Sequence, residues 1–168
     1  SQFHLDEQLY DSVAVGGTFD ALHYGHRKLL TLAVSSVRIS PNANDNGKLL
    51  VGVTSDEMLR GKKYASYIAP VEKRIQLVKE FIANLAPGIK NKVRVEVIVD
   101  AFGPTANEEH FTALVLSHET LPTGLLLNEI RSSKGFQPLT LLCTRRTEAN
   151  AMSSTTLRQM RMRDAANK

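Results

Sequence analysis

The stretch SVAVGGTFDALHYGH, residues 12–26, decides the fold of this chain. It begins with a β-rich apolar run, passes through Gly16 and Gly17, and ends in residues with helical spacing. A strand followed by a tight turn and a helix is typical of the first unit of a parallel α/β sheet. Glycines allow the backbone to turn tightly and to approach a ligand closely. We therefore expect a ligand site at the carboxyl end of this strand, as in other open parallel sheets.

Short β-rich runs and longer helical patterns alternate along the rest of the chain. After the first run at 12–15, further strands are predicted at 48–54, 93–99, 112–116 and 139–142. Helical patterns cover about 24–39, 71–85, 125–133 and 155–166. The alternation predicts an α/β fold: a Rossmann-like five-stranded parallel sheet with helices on both faces, in one domain of residues 1–168. Residues 1–11 are expected to form an N-terminal extension, and the polar run 40–47 a surface loop.

The composition is that of an ordinary globular protein, with 42% hydrophobic and 23% charged residues. No apolar run reaches the roughly 18 residues that span a bilayer, and the start lacks the blocks of a signal peptide, so we expect a cytoplasmic protein without membrane insertion. The single cysteine, Cys143, excludes an internal disulfide and is expected to be a buried thiol. The formal net charge of +4 suits small polyanions as well as nucleic acid. Because the basic residues are dispersed, we expect no nucleic-acid partner.

Two histidines lie where the first helix is predicted to begin. His23 and His26 would project from one face of its first turn, whose free N–H groups and positive dipole end attract phosphate. Gly25 would leave an open surface between the imidazoles, against which a base or phosphate could lie. A chance surface pair and a zinc pair are alternatives, although no cysteine or carboxylate set has ligand spacing nearby. Neither a Walker A loop nor a GxGxxG fingerprint is present, so a kinase and a dehydrogenase lose their main support.

A second set of donors lies near the end of the chain. Ser153, Ser154 and Thr155 precede the last predicted helix, and Arg158 lies in its first turns. A Ser/Thr run at a helix start is by itself as readily an N-cap as a ligand site. Hydroxyls, free N–H groups and a guanidinium at one helix end would nevertheless be able to converge on one anion.

The two motifs together resemble a known superfamily. Residues 16–26, GGTFDALHYGH, resemble the signature of the HxGH nucleotidylyltransferases, which include phosphopantetheine adenylyltransferases and cytidylyltransferases. Residues 153–158 are similar to the second motif of that superfamily, which holds the β- and γ-phosphates of the nucleotide. The resemblance implies a Rossmann-like sheet and the transfer of a nucleotidyl group. It also implies that the two ends of the chain meet at one cleft.

The middle of the chain separates the adenylyl branch from the cytidylyl branch. The run Arg146-Thr147-Glu148 is similar to the cytidylyltransferase version. In contrast, residues 100–105 (DAFGPT) and 117–120 (SHET) resemble segments of the phosphopantetheine adenylyltransferases of eukaryotes and archaea, and so do Lys62, Lys63, Gly124, Asn128, Arg131 and Gly135. The similarity extends from about residue 13 to residue 158. It therefore implies ATP and 4′-phosphopantetheine as substrates, in coenzyme A biosynthesis.

The resemblance implies a direct in-line transfer, in which the 4′-phosphate attacks the α-phosphorus of ATP and pyrophosphate leaves. The attacking group is already an anion, so the protein must supply donors and cations that align and neutralise the phosphates. The expected catalytic residues are His23, His26, Lys62 and Arg158. The expected nucleotide-binding residues are Gly16, Gly17, Thr18, Phe19, His23, Gly25, His26, Ser117, Glu119, Thr120, Ser153, Ser154, Thr155 and Arg158. Acceptor-phosphate binding is expected from Thr18, Lys62 and Lys63.

Some expectations concern ligands and alternatives. Mg²⁺ is expected to bridge the phosphates, although no carboxylate cage for a metal is evident. We expect a monomer.

One alternative function is a cytidylyltransferase that acts on a phosphorylated alcohol, and another is a non-catalytic nucleotide- or RNA-binding module on the same fold. His4, His110 and His118 have no partner visible in the sequence and are expected to be surface residues.

Overall fold

A computed structural model describes residues 8–38 and 47–144. Within these ranges the strands are β1 Ser12–Gly17, β2 Lys48–Thr54, β3 Val93–Ile98, β4 Ala113–Leu116 and β5 Thr140–Cys143. The α-helices are α1 Tyr24–Ser36, α2 Asp56–Leu59, α3 Val71–Leu85 and α4 Leu121–Ser133. Short 3₁₀ turns cover Ala65–Tyr67, Pro87–Lys92, Gly103–Ala106 and His118–Thr120. The predicted helix 155–166, most of the predicted loop 40–47 and the first seven residues of the predicted extension lie outside the described residues.

The five described strands form one parallel sheet with the order β3-β2-β1-β4-β5. The chain moves from β1 to one edge through β2 and β3, and then returns to the other side of β1 to add β4 and β5. Val13 in β1 pairs with Leu49 in β2 and with Ala113 in β4. The chain thus adds strands on one side of β1 up to β3, and on the other side of β1 from β4 onward. The boundary between β1 and β4 is therefore the topological switch point, at which parallel sheets bind ligands.

Helices cover both faces of the sheet, as predicted. Because crossovers between parallel strands are right-handed, the reversal of direction places the helices before and after it on opposite faces. One face packs Val13, Val15 and Val51 against α1 and α3. The other face packs Ala14, Leu50 and Leu114 against α4, through Leu127. The fold is therefore the predicted Rossmann-like α/β domain.

Several predicted boundaries differ from those in the structure. α1 ends at Ser36, three residues before the predicted end, because Val37 is extended and forms a bridge with Tyr10. α4 begins at Leu121 rather than at residue 125, and a capping box formed by Ser117 and Thr120 precedes it.

The prediction that Cys143 is a buried thiol is wrong. The thiol is exposed because Cys143 is the last residue of β5, an edge strand of the described sheet. Within the described ranges, no helix combines the length and apolar character needed to cross a membrane.

Candidate active site

A cleft of about 900 Å³ opens at the carboxyl ends of β1 and β4. Its floor is formed by the ends of these strands, and the starts of α1 and α4 form its sides. Residues that follow β2 and β3, including Lys62 and Phe102, complete the wall. The cleft therefore lies at the switch point, where the order of the strands reverses.

The loop between β1 and α1 has an unusual backbone. Phe19, Ala21 and Leu22 have φ values of 52°, 60° and 40°, in the left-handed region that residues other than glycine rarely adopt. Each such residue costs of order 1–3 kcal/mol and persists only where the surrounding structure holds it. Phe19 and Asp20 are almost completely buried and anchor the loop in the core. The loop is thus held in a conformation that its own sequence does not favour.

His23 and His26 lie side by side at the start of α1. His23 is the N-cap residue, and the Gly25 N–H donates to its Nδ1 at 3.0 Å. The two imidazoles stack with their centroids 3.8 Å apart and their planes 21° apart. His26 is buried, and its ring also lies 5.3 Å from the Phe19 ring.

The expectation of an open surface between the two imidazoles is wrong. A side chain at Gly25 would bring its Cβ within 2.9 Å of His23 Cε1, which shows that the His23 ring itself lies against Gly25. The hydrogen bond from Gly25 to Nδ1 draws the ring into this position. The space between the two stacked rings is therefore closed, and both residues line the cleft as one unit.

Burial lowers the pKa of His23 below its ordinary value of 6.5, with a smaller contribution from Arg27. Asp20 and Glu119 act in the opposite direction but do not cancel the effect of burial. The imidazole is therefore neutral at pH 7. Because Nδ1 accepts a hydrogen bond from Gly25, the proton of the neutral ring is on Nε2. His23 thus has an N–H group available to donate to a phosphate oxygen.

The predicted site residues reach the cleft from three segments of the chain. Gly16, Gly17, Thr18, His23, Gly25 and His26 line it from the β1–α1 segment, Lys62 from the segment after β2, and Ser117, Glu119 and Thr120 from the β4–α4 segment. Of the lysine pair, only Lys62 lines the cleft, because the Lys63 ammonium lies 5.1 Å from the Tyr64 ring. The Phe19 side chain lies in the core. Ser153, Ser154, Thr155, Arg158 and residues 146–148 lie outside the described residues.

Comparison with known proteins identifies the family. The profile of the family described as "Cytidylyltransferase-like" matches residues 14–160. The phosphopantetheine adenylyltransferase of Methanopyrus kandleri is 34% identical over 79% of this chain and 77% of its own length. That of Thermococcus kodakarensis is 38% identical over 79% of this chain and 73% of its own. The chain belongs to the phosphopantetheine adenylyltransferase family. A relative with the same name in Saccharomyces cerevisiae is 34% identical over 80% of this chain, which spans 41% of that protein.

Two solved structures have the same fold as this chain. A protein of unknown function from Archaeoglobus fulgidus superposes with a TM-score of 0.67 at 27% identity, covering 84% of this chain and 95% of its own. A lipopolysaccharide core biosynthesis protein from Thermoplasma volcanium superposes with a TM-score of 0.55 at 19% identity, covering 83% and 99%. The second likeness concerns the fold alone.

Several residues on which the resemblance to the family rests make hydrogen bonds to the backbone within the fold. Arg131 is completely buried, and its guanidinium donates to the carbonyls of Thr105, Glu108, Glu109, Phe111 and Gln137. Asn128 bonds both backbone groups of Leu139. Asp100 accepts from the N–H groups of Phe102 and Gly103. The Arg131 bonds hold the 100–111 segment, which forms one wall of the cleft, against α4, whereas Asn128 holds the residue before β5 and Asp100 closes a local turn.

Sequence reasoning missed other residues. His118 is exposed, as expected, but it also lines the cleft, and Lys28 of α1 lines it as well. Lys28 lies four residues after Tyr24, which also lines the cleft, so helical spacing alone predicts that the two side chains lie on the same face of α1. His110 is exposed, as expected, and its ring bonds Ser12 Oγ at 3.0 Å and Glu108 at 2.9 Å. Ser12 lies 98 residues from His110 in sequence, so no local pattern indicates that contact.

Proposed function

We propose that this protein transfers the adenylyl group of ATP to 4′-phosphopantetheine and forms dephospho-coenzyme A and pyrophosphate. The observation that carries the proposal is the convergence of the stacked His23–His26 pair, Thr18 and Lys62 on one cleft at the switch point. Membership of the phosphopantetheine adenylyltransferase family supports the choice of substrates.

In the proposed reaction an oxygen of the 4′-phosphate attacks the α-phosphorus of ATP in line, and the bond to the β-phosphate breaks. No base is needed, because the attacking oxygen is already charged. The Nε2–H of His23 and the buried imidazole of His26 stabilise the negative charge that develops around the α-phosphorus. Thr18 and Lys62 hold the acceptor phosphate. Arg158 and the run Ser153, Ser154 and Thr155 remain our proposal for the β- and γ-phosphates.

The cleft has walls of two kinds, which suit two different substrates. Polar residues of the β4–α4 segment, Ser117, Glu119 and Thr120, are proposed to contact the nucleotide. The end of β3 and the residues that follow β2 and β3 contribute an apolar wall that includes Met58, Ile98, Phe102 and Pro104. An acceptor with a phosphate and a long uncharged arm would cover this wall. A short phosphorylated alcohol, the acceptor of the cytidylyl alternative, would leave it exposed to water.

Further properties belong to the proposal. We propose that Mg²⁺ enters with ATP, since no group of three or more His, Cys, Asp or Glu side chains able to hold a metal occurs in the described ranges. We also propose that the protein acts as a monomer in the cytoplasm, without a nucleic-acid partner or membrane insertion.

The test is turnover with paired substrates. ATP or CTP is combined with 4′-phosphopantetheine or glycerol 3-phosphate, and release of pyrophosphate and formation of dephospho-coenzyme A are measured. We expect product only with ATP and 4′-phosphopantetheine. Turnover of CTP with glycerol 3-phosphate, or binding of ATP without any turnover, would refute the proposal.

The variant His26→Ala tests the site within the same assay. Loss of one well-placed donor typically lowers the rate about 10²- to 10³-fold, and we expect this loss in kcat. His110→Gln serves as the matched control, because His110 bonds Ser12 and Glu108 away from the cleft. A rate for His26→Ala within about threefold of wild type would remove His26 from the mechanism.

A further inference from the structure

Arg74 of α3 is a completely buried arginine that does not line the cleft. Its guanidinium donates to the carbonyls of Thr18, Thr54 and Ala69 at 2.8–2.9 Å. It also pairs with Asp56 at 2.8 Å. One rigid planar group therefore connects Thr18 after β1 with the 54–56 segment at the end of β2, and with Ala69 just before α3.

The first of these segments is the strained loop between β1 and α1. The Thr18 carbonyl that accepts from Arg74 immediately precedes Phe19, the first of the residues with positive φ. A loop in this conformation persists only where other contacts hold it. Arg74 supplies such a contact between the cleft residue Thr18 and the loop that leads to the two histidines.

The second connection reaches the lysine side of the cleft. Thr54 is the last residue of β2, and Asp56 begins α2. The backbone N–H of Lys62 donates to the carbonyl of Leu59 at the end of α2. The Arg74 guanidinium thus holds the base of the segment that carries Lys62, and the same Nη1 atom bonds both Thr18 and Thr54.

We propose that Arg74 is a positioning residue: it fixes the distance between the histidine loop and the Lys62 segment, so that the two phosphates meet in line. The inference rests on the proposed function. In a reaction that depends on alignment, a displacement of about 1 Å can cost 10²-fold in rate. The residue therefore acts on the rate of transfer and leaves the binding of each substrate nearly unchanged.

The experiment compares Arg74→Lys with Ile82→Ala. A lysine keeps the charge but presents one ammonium, which does not reproduce the planar fork that joins the carbonyls to Asp56. Ile82→Ala is the control, because Ile82 is buried in the same helix and does not line the cleft. Kinetics are measured at a temperature at which circular dichroism shows both variants to be folded.

We expect Arg74→Lys to lower kcat about 10- to 100-fold, with KM for each substrate within about threefold of wild type. Ile82→Ala is expected to lose thermal stability through its emptied core position and to keep kcat within about threefold. Equal kcat values for the two variants, or a loss confined to KM, would overturn the positioning role. If Arg74→Lys does not fold, Asp56→Asn replaces it, because Asp56 is half-exposed and its loss weakens the same clamp.

A second measurement does not depend on the reaction. Amide hydrogen exchange in residues 18–22 should accelerate in Arg74→Lys, or in Asp56→Asn, and stay unchanged in Ile82→Ala. Unchanged exchange in the Arg74 or Asp56 variant would refute the clamp. If the wild type formed no dephospho-coenzyme A, the proposed function would fail, and exchange would still decide whether Arg74 holds the loop.

Discussion

At the scale of single residues, His23 caps a helix and, in the proposed reaction, also donates to a phosphate. Its Nδ1 caps α1 by accepting from Gly25, and this bond leaves the proton of the neutral ring on Nε2. The stacked His26 ring holds the imidazole from the other side. A side chain that would otherwise rotate freely is thus fixed before a ligand arrives, which is the arrangement that electrostatic catalysis requires.

The lowered pKa of His23 predicts how stability depends on pH. The unfolded chain takes up this proton near pH 6.5, whereas the folded protein takes it up only at lower pH. As the pH falls below 6.5, protons therefore favour the unfolded state, and stability present above pH 6.5 is lost. His23→Asn keeps an acceptor for the N-cap but does not titrate.

We accordingly expect the melting temperature of the wild type to fall more than that of His23→Asn between about pH 7.5 and about pH 5.5. Thermal unfolding followed by circular dichroism at several pH values measures the difference. Parallel pH dependences in the two proteins would contradict the lowered pKa.

At the scale of elements, the start of α1 depends on the absence of a side chain at Gly25. The His23 ring packs against Gly25, and His23 is the N-cap residue that directly precedes the first residue of α1. α4 uses a different device, because Ser117 and Thr120 cap the turn that precedes it. The two helix starts that flank the cleft are thus capped by side chains that line it.

Gly25→Ala should separate activity from stability. The new Cβ would lie 2.9 Å from His23 Cε1 and would push the imidazole away from its cap and from His26. Alanine favours the helix by about 1 kcal/mol, and the lost cap costs about the same, so we expect an almost unchanged melting temperature. We expect kcat to fall about tenfold or more.

Steady-state kinetics and thermal unfolding of the same samples check the Gly25→Ala prediction. Gly88→Ala is the control, because nothing lies within 4 Å of a Cβ at Gly88. An activity of Gly25→Ala equal to that of Gly88→Ala would show that the His23 ring adapts to the added methyl group.

At the scale of the whole molecule, the cleft results from the order of the strands. β1 and β4 are neighbours, although two strands and three helices separate them in sequence. Their following loops diverge to opposite faces and leave a crevice between them. Arg74 and Arg131 then hold the walls of this crevice through carbonyls from distant segments.

The lack of a candidate metal cluster in residues 8–38 and 47–144 predicts the effect of a chelator. In the part of the chain that the structure describes, no acidic or histidine cluster suited to a metal is found. We expect EDTA to abolish turnover by removing Mg²⁺ from ATP, while the melting temperature of the ligand-free protein stays unchanged. EDTA saturated with Mg²⁺ is the control. A lower melting temperature in EDTA would show instead that the protein contains a resident metal.

Much of the fold was predictable from local patterns. The bounds of β2 and α3 agree with the predicted 48–54 and 71–85, because alternation and helical spacing depend on near neighbours in sequence. The glycine turn and the histidine pair were likewise visible in one short stretch. The SHET segment was predicted to reach the same cleft only through the resemblance to the family.

The sequence by itself determined which segments are strands and helices, and which polar residues follow the strands. Only the tertiary structure decided the strand order, the stacking of His23 on His26, the exposure of Cys143 and the burial of Arg74 and Arg131. The reason is the separation of the partners: Arg74 bonds a carbonyl 56 residues away. Propensity and periodicity describe residues a few positions apart, whereas these contacts exist only after the sheet has brought distant segments together.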